Sequence, residues 1–510
     1  MSKWPKYPLL YEINTRVWLN ELSIRAGRVI TLDKVPDEEI DRIARYGFHA
    51  VWLMGVWTTG SEPVEIARSH SVLQSEYRQA LPNFTREDVV GSPYAVSAYN
   101  VSSHLGGPDA LAVFRERLAR RGIRLMLDFI FNHTACDHRF VTEHPEIYIQ
   151  GSVEDLTRDP TAFFKTSTGQ ILAHGRDPYF PPWTDSAQIN YGRSVGREIM
   201  KTELLQVAKQ CDGVRCDMAM LLLPEVIEQV WGKRLGDNWI RQSFCQEVIQ
   251  ECNAIYSNFL FLAESYWNLE WKLQEEGFDF TYDKILYDRL RQNDHNGTRQ
   301  HLQAALKFQD HCARFIENHD EQRAVTVFGA ARARGAAMIG YFTPGLKLFH
   351  NGQLEGRRIK IPVQLQRRPL ENEDVETALF YEKILAILQD NIFQTGEFKV
   401  CEVHSAGWGD ASNESLIALT WTSAPCAASV SSAQNRHRHL GYLIVVNLNP
   451  WRAYGHIPLS ATLFETSKQY AFHDCLDGKR YERIGSELVS PGLYIALEAH
   501  QQHLFEIYTK

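Results

Sequence analysis

The sequence predicts an α/β fold: a (β/α)8 TIM barrel with an inserted irregular subdomain after its third strand and a C-terminal antiparallel β domain. Three observations lead there. Short apolar runs that do not alternate recur along the first 390 or so residues and are separated by helix-like stretches. Such runs suit strands covered on both faces, and strand alternating with helix suits a parallel sheet. After about Phe393 the texture changes to strand-like runs separated by turn residues. An open doubly wound sheet is the rival, but no GxGxxG follows an early strand.

The runs come in order. They are YEINTRVWL (11–19), HAVWLMGV (49–56), IRLMLDFIFNH (123–133), DGVRCDM (212–218), NFLFLAES (258–265), ARFIENHD (313–320) and LKLFHNG (346–352). Helices are expected at 36–47, 108–122, 324–340 and 372–389, the last closing the barrel. The segment 134–191 is polar, rich in Pro, Gly and Asp, and too long for a simple loop. The expected domains are therefore a barrel of 1–133 and 192–392, an insertion of 134–191 and a β-sandwich of 393–510. Residues 423–438, SAPCAASVSSAQNRHR, read as a flexible loop in the last domain.

A chain of 510 residues is long enough for a large barrel plus a smaller module. Net charge is −8, with no long Lys/Arg block, which argues against nucleic acid as a partner. The opening stretch lacks a basic head and an uninterrupted apolar core, so no signal peptide is expected, and no apolar run is long enough to span a bilayer. Nine scattered Cys with no CxxC pair suit reduced thiols in a cytoplasm.

Charged residues stand at the ends of the apolar runs. In CDGVRCDMAM, side chains two apart share a strand face, so Gly213, Arg215 and Asp217 point one way. On a barrel strand, Asp217 would sit at the C-terminal end, where barrel active sites lie. A structural ion pair is the alternative for this stretch alone. Asp128, Glu264 and Asp320 end three more such runs, and acids at strand ends also serve as helix N-caps. Four together would converge on one pocket. Converging carboxylates with an Arg and two His, and no zinc-type ligand set, suit glycosidic bond cleavage. One acid protonates the leaving oxygen and a second attacks the anomeric carbon. Arg215 would keep the Asp217 carboxylate ionised and aimed. Glu264 would have to hold a proton near neutral pH, through burial or nearby negative charge.

These residues resemble the α-amylase superfamily, glycoside hydrolase family thirteen. DFIFNH (128–133), GVRCD (213–217), AESYW (263–267) and FIENHD (315–320) resemble its four motifs in order and spacing, and WTDSAQIN (183–190) resembles the closing motif of its inserted domain. GSPYAVSAYNVSSHLGG (91–107) resembles the segment that brings a stacking Tyr to the cleavage subsite. The resemblance implies Asp217 as nucleophile, Glu264 as general acid/base and Asp320 as transition-state stabiliser. It implies Arg215 holding the nucleophile, His133 and His319 bonding sugar hydroxyls, Tyr94 stacking on the same sugar, and Asp128 and Asn132 supporting it. Asn132 also matches a family calcium ligand. No cofactor is implied for the chemistry; a structural calcium is.

The chain departs from the starch-cleaving pattern in two places. Met220 and Leu221 stand where Lys-His is common, and FHNGQLEG (349–356) follows the eighth-strand pattern loosely. Met220-Leu221 could form part of a drier acceptor site. The expected activity is a retaining, cytoplasmic α-amylase-type hydrolase acting on α-1,4 bonds of a glucan or maltooligosaccharide. An α-glucanotransferase or sugar isomerase would use the same intermediate. A non-catalytic binding module, or an unrelated metal-using barrel, would belong to different classes. Trp408, Trp421 and Trp451 of the β domain are expected to pack internally rather than bind glucan.

Overall fold

In the computed structural model, residues 3–236, 238–423 and 438–510 are described. Eight parallel strands close a barrel: β1 (Leu9–Asn14), β2 (Ala50–Met54), β3 (Arg124–Ile130), β4 (Gly213–Asp217), β5 (Leu260–Ala263), β6 (Phe280–Tyr282), β7 (Cys312–Arg314) and β8 (Leu346–His350). They neighbour one another in chain order, with β8 returning to β1. Every residue of β3, β4 and β5 is buried, as continuous apolar runs with helices outside require. Gly213 opens β4 because a Cβ there would meet the Leu260 carbonyl at 2.7 Å.

Seven of the eight strands fall in the apolar runs. The eighth, β6, is three residues long, too short for its periodicity to stand out. The run at 11–19 is cut short. Asn14 caps a helix over Thr15–Ala26 by accepting the Val17 N–H at 3.3 Å, so Arg16–Leu19 are helical. Expected helices occur at Asp37–Arg45, Gly107–Ala119 and Val375–Ile387. The one expected over 324–340 is broken at Gly329, which has positive φ (75°), into Ala324–Phe328 and Ala330–Tyr341.

The polar segment after β3 contains short elements. His133–Ala135 pairs antiparallel with Ser186–Gln188, and Phe163–Lys165 with Ile171–Ala173. A helix at Val153–Arg158 starts with a Ser152/Asp155 capping box. Both Asp155 oxygens also accept bonds from Arg234, on the helix Pro224–Leu235, at 2.9 and 2.8 Å. That bidentate pair fastens the segment to the helix following β4.

The C-terminal region forms a six-stranded antiparallel sheet and a two-stranded one. The strands are β9 (Glu397–Cys401), β10 (Leu416–Thr422), β11 (His439–Asn447), β12 (Ala453–Ile457), β13 (Gln469–Asp474), β14 (Arg480–Ile484), β15 (Leu493–Leu497) and β16 (Gln502–Thr509). The larger sheet runs β9-β10-β11-β16-β13-β14, and β12 pairs with β15. Leu443, Val445 and Phe505 of the larger sheet share one apolar core with Ile457 and Ile495 of the smaller. The loop expected over 423–438 lies, apart from its two end residues, outside the described residues. Trp421 is buried, and its Nε1 donates to the Phe342 carbonyl at 2.7 Å. Trp408 and Trp451 do not pack as expected: both are exposed.

By density of internal contacts the chain divides into two units. The first comprises Met1–Trp4, Leu10–Tyr282 and Ile359–Leu370, and the second Pro5–Leu9, Asp283–Arg358 and Glu371–Lys510. Among the described residues, no helix is long and apolar enough to cross a membrane, and the eight cysteines described are free.

Candidate active site

In the first unit, β3, β4 and β5 lie side by side, with Arg215 opposite Asp128 on one side and Leu262 on the other. Asp217 ends β4 and Glu264 follows β5. All four polar residues are buried. Arg215 answers both acids: Nη1 donates to Asp217 Oδ1 at 2.7 Å, and Nη2 lies 2.8 Å from Glu264 Oε2. Its Nε points to the Tyr282 hydroxyl at 3.4 Å. The rings of Trp52, Tyr94 and Tyr282 surround the guanidinium at 5.2–5.6 Å. Burial alone would lower the pKa of Arg215; Glu264, Tyr282, Tyr94 and Asp217 hold it well above the usual arginine value. A fixed cation thus sits where two carboxylates meet.

Glu264 is buried and shares Arg215 with the Asp217 carboxylate, and further donors reach it. Besides Arg215, the Met218 N–H donates to Oε2 at 2.6 Å and the Tyr266 hydroxyl to Oε1 at 2.9 Å. The Met218 bond depends on an unusual backbone: Met218 is left-handed at φ 43°, directly after Asp217. Trp267 and Asn268, just past Glu264, are left-handed too. Such strain persists where the surroundings enforce it, and it clusters at functional sites.

Asp128 is a brace. Its oxygens accept the Trp52 Nε1 at 3.0 Å and the Gly55 N–H at 2.9 Å, and its carbonyl takes the Trp57 Nε1 at 2.8 Å. Tyr94 is half-buried, one face toward Arg215. His133 is buried 5.2 Å from the Trp183 ring, and desolvation lowers its pKa to about 4, so it is neutral. Tyr179 and Phe180 of the polar segment are exposed, and Tyr179 meets Trp267 edge-on at 4.9 Å.

Asn132 and Gln188 close on each other. The Asn132 amide nitrogen donates to Gln188 Oε1 at 3.1 Å, and Gln188 Nε2 donates back to Asn132 Oδ1 at 3.0 Å. Calcium needs six to eight oxygen ligands, whereas this arrangement turns a donor onto the oxygen in question. The residues present do not fit a calcium here.

In the second unit, Asp320 lies beyond β7. Its side chain is half exposed, and His319 Nε2 is 3.0 Å from Oδ2. Asn318 Oδ1 accepts the N–H groups of Asp320 and Glu321, both at 2.9 Å, fixing the turn. Behind it, Arg323 bonds Glu317, His350 Nδ1 and the Asn351 carbonyl at 2.6–3.0 Å. FHNGQLEG is thereby occupied structurally: Gln353 also donates to the Tyr341 and Tyr381 hydroxyls.

The strand ends named from sequence thus bring Arg215, Asp217, Glu264, Asp128 and Tyr94 together in one unit, and His319 with Asp320 in the other. Tyr266, Tyr282, Trp52 and the Met218 N–H were not among the expected residues. Tyr266 stands inside AESYW and carries the clearest signal, being two residues from Glu264. Met220 and Leu221 are buried.

A model of the α-amylase catalytic domain matches residues 37–358, more than half of the chain. The chain belongs to the α-amylase family. It is similar to α-amylase MalA of Haloarcula japonica, at 24% identity over 363 residues, or 70% of this chain and 45% of that protein. The chain therefore spans less than half the length of that curated relative. Its fold resembles an α-amylase from Lactobacillus plantarum at TM-score 0.65 and 18% identity, over 98% of this chain and 99% of that one. It equally resembles a trehalose-6-phosphate hydrolase from Bacillus licheniformis, at TM-score 0.65 and 13% identity over both complete chains.

Proposed function

We propose that the protein is a retaining α-glycoside hydrolase of α-amylase type that cleaves α-1,4-glucosidic bonds of glucans or maltooligosaccharides through a covalent glycosyl-enzyme intermediate. Asp217 is the nucleophile, Glu264 the general acid/base and Asp320 the transition-state stabiliser. His133 and His319 bond sugar hydroxyls, Tyr94 stacks on the sugar, and Arg215, Asp128 and Asn132 position the groups around it. The catalytic barrel is 1–133 with 192–392, the insertion 134–191 and the β-sandwich 393–510. The free cysteines support a reducing, cytoplasmic setting.

The observation that carries this reading is the single guanidinium shared by Asp217 and Glu264. Two carboxylates held by one planar fork are close neighbours. Retaining enzymes place theirs about 5–5.5 Å apart, whereas inverting ones leave room for a water between. Arg215 keeps Asp217 anionic for attack on the anomeric carbon as Glu264 passes a proton to the glycosidic oxygen. The leaving sugar departs with that proton. A water then gives its proton to Glu264 and its hydroxyl to the anomeric carbon, freeing Asp217. Resting Glu264 is surrounded by donors, so taking up the proton costs it at least one of these bonds. Turning toward the glycosidic oxygen as sugar binds is the step that releases it.

The test is a product profile with maltoheptaose, soluble starch, sucrose, trehalose and trehalose 6-phosphate. Shorter maltooligosaccharides with a matching rise in reducing ends, α-configured at first release, support the reading. Products longer than the donor with reducing ends unchanged replace it with a transferase, and turnover confined to a trehalose replaces the substrate.

A further inference from the structure

We propose that His473, Cys475 and Glu506, on the C-terminal β domain, form a zinc(II) site. The antiparallel register of β13 and β16 sets His473 directly opposite Glu506. Cys475 follows two residues later and continues the ladder through its N–H to the Leu504 carbonyl at 2.8 Å, so its side chain returns to the same face. A nitrogen, a sulfur and a carboxylate oxygen from these three residues all lie within 4.8 Å of one another, and His473 Nδ1 is 3.9 Å from Glu506 Oε2. Tetrahedral zinc, with bonds of about 2.0–2.3 Å, holds such donors about 3.4–3.8 Å apart. Small side-chain rotations close the difference. Among the described residues, no other group of three histidine, cysteine or acidic side chains meets this spacing.

The donor set selects the metal. One imidazole, one thiolate and one carboxylate are too soft for calcium or magnesium and suit borderline zinc. All three residues are partly exposed, which gives the ion an entry path and leaves its fourth position to water. The Cys475 thiol proton leaves to solvent as the sulfur–zinc bond forms. The carboxylate ligand is backed from behind. Glu506 Oε1 lies 3.8 Å from His439 Nε2, a buried nitrogen without a hydrogen-bond partner, and His439 Nδ1 is 4.0 Å from Asp390 Oδ2. Ligating carboxylates commonly have partners of their own, and His439 reaches Glu506 at ion-pair distance. None of these residues belongs to the proposed catalytic set.

The experiment uses the full, untagged chain stripped with EDTA and then dialysed free of it. Zinc is titrated in competition with a chromophoric chelator, and cobalt(II) is added separately as a spectroscopic probe. Expected are one zinc per chain at micromolar affinity or tighter, and a thiolate-to-cobalt charge-transfer band. His473→Gln and Cys475→Ser should each weaken zinc binding at least about tenfold, and Cys475→Ser should remove the band. Cys401→Ser, at another half-buried cysteine of the same domain, should change neither. No binding at micromolar zinc, or binding that survives both His473→Gln and Cys475→Ser, overturns the proposal. His473 is partly exposed, so its variant reads ligation even where the cysteine variant disturbs folding.

Discussion

Arg215 is a buried cation whose cost is met by two acids and a ring of aromatics, and its neighbours were legible because strand side chains repeat every second residue. On the proposed mechanism, Asp217→Asn should lower kcat at least about a thousandfold, since an amide cannot attack the anomeric carbon. Full turnover in that variant, measured on maltoheptaose, removes Asp217 from the role of nucleophile. The donors around Glu264 were not legible, because they come from a backbone N–H in a left-handed residue and a hydroxyl whose aim depends on the strand end. Two other buried residues bear on acid tolerance. Desolvation lowers the pKa of both His133 and His138 from 6.5 to about 4, and His138 Nδ1 accepts the Phe140 N–H at 3.1 Å. Between those pH values the unfolded chain takes up protons that the native one refuses. Stability is therefore full above pH 6.5 and falls toward pH 4, by an amount of order 3 kcal/mol per histidine at most. The thermal midpoint should drop over that window, and His138→Gln should flatten the slope. An unchanged slope would exclude His138 as a contributor.

At the level of elements, the turn after β2 ties backbone shape to the site. Gly55 has φ +80°, its N–H holds Asp128, and a Cβ would stand 2.9 Å from the Pro93 Cβ. Gly55→Ala should cost about 1–3 kcal/mol and lower kcat by loosening Asp128; a melting curve and initial rates check both. A wild-type midpoint would show that the turn relaxes freely. Strands such as β3 and β4 were readable because they are continuous apolar runs ending in charge. The three-residue β6 was not, and the run at 11–19 misled because Asn14, the last residue of β1, also caps a helix that takes up the rest of the run. Gly329 breaks a helix that its apolar pattern alone would have continued.

For the whole molecule, alternation of strand and helix was enough to give the barrel, and the change of texture near Phe393 the β domain. What holds the polar segment after β3 in place was not readable: Asp155 and Arg234 are distant in sequence, and each alone looks like a surface charge. The same limit hid the Asn132–Gln188 clasp, which turns an expected calcium ligand inward. A calcium-selective chelator should accordingly leave both the thermal midpoint and the hydrolytic rate unchanged within about twofold. Loss of activity restored by added calcium would place an ion elsewhere in the fold.

The shared guanidinium has a consequence for enzyme redesign. In Asp217→Ala, Nη1 of Arg215 loses its carboxylate and keeps its charge, leaving a small anion seat walled by Trp52, Tyr94 and Tyr282. Formate or azide is the size of the missing group. The crippled enzyme should therefore regain turnover in proportion to added anion, with an activated glycoside as donor, and the anion would stand in for the lost side chain.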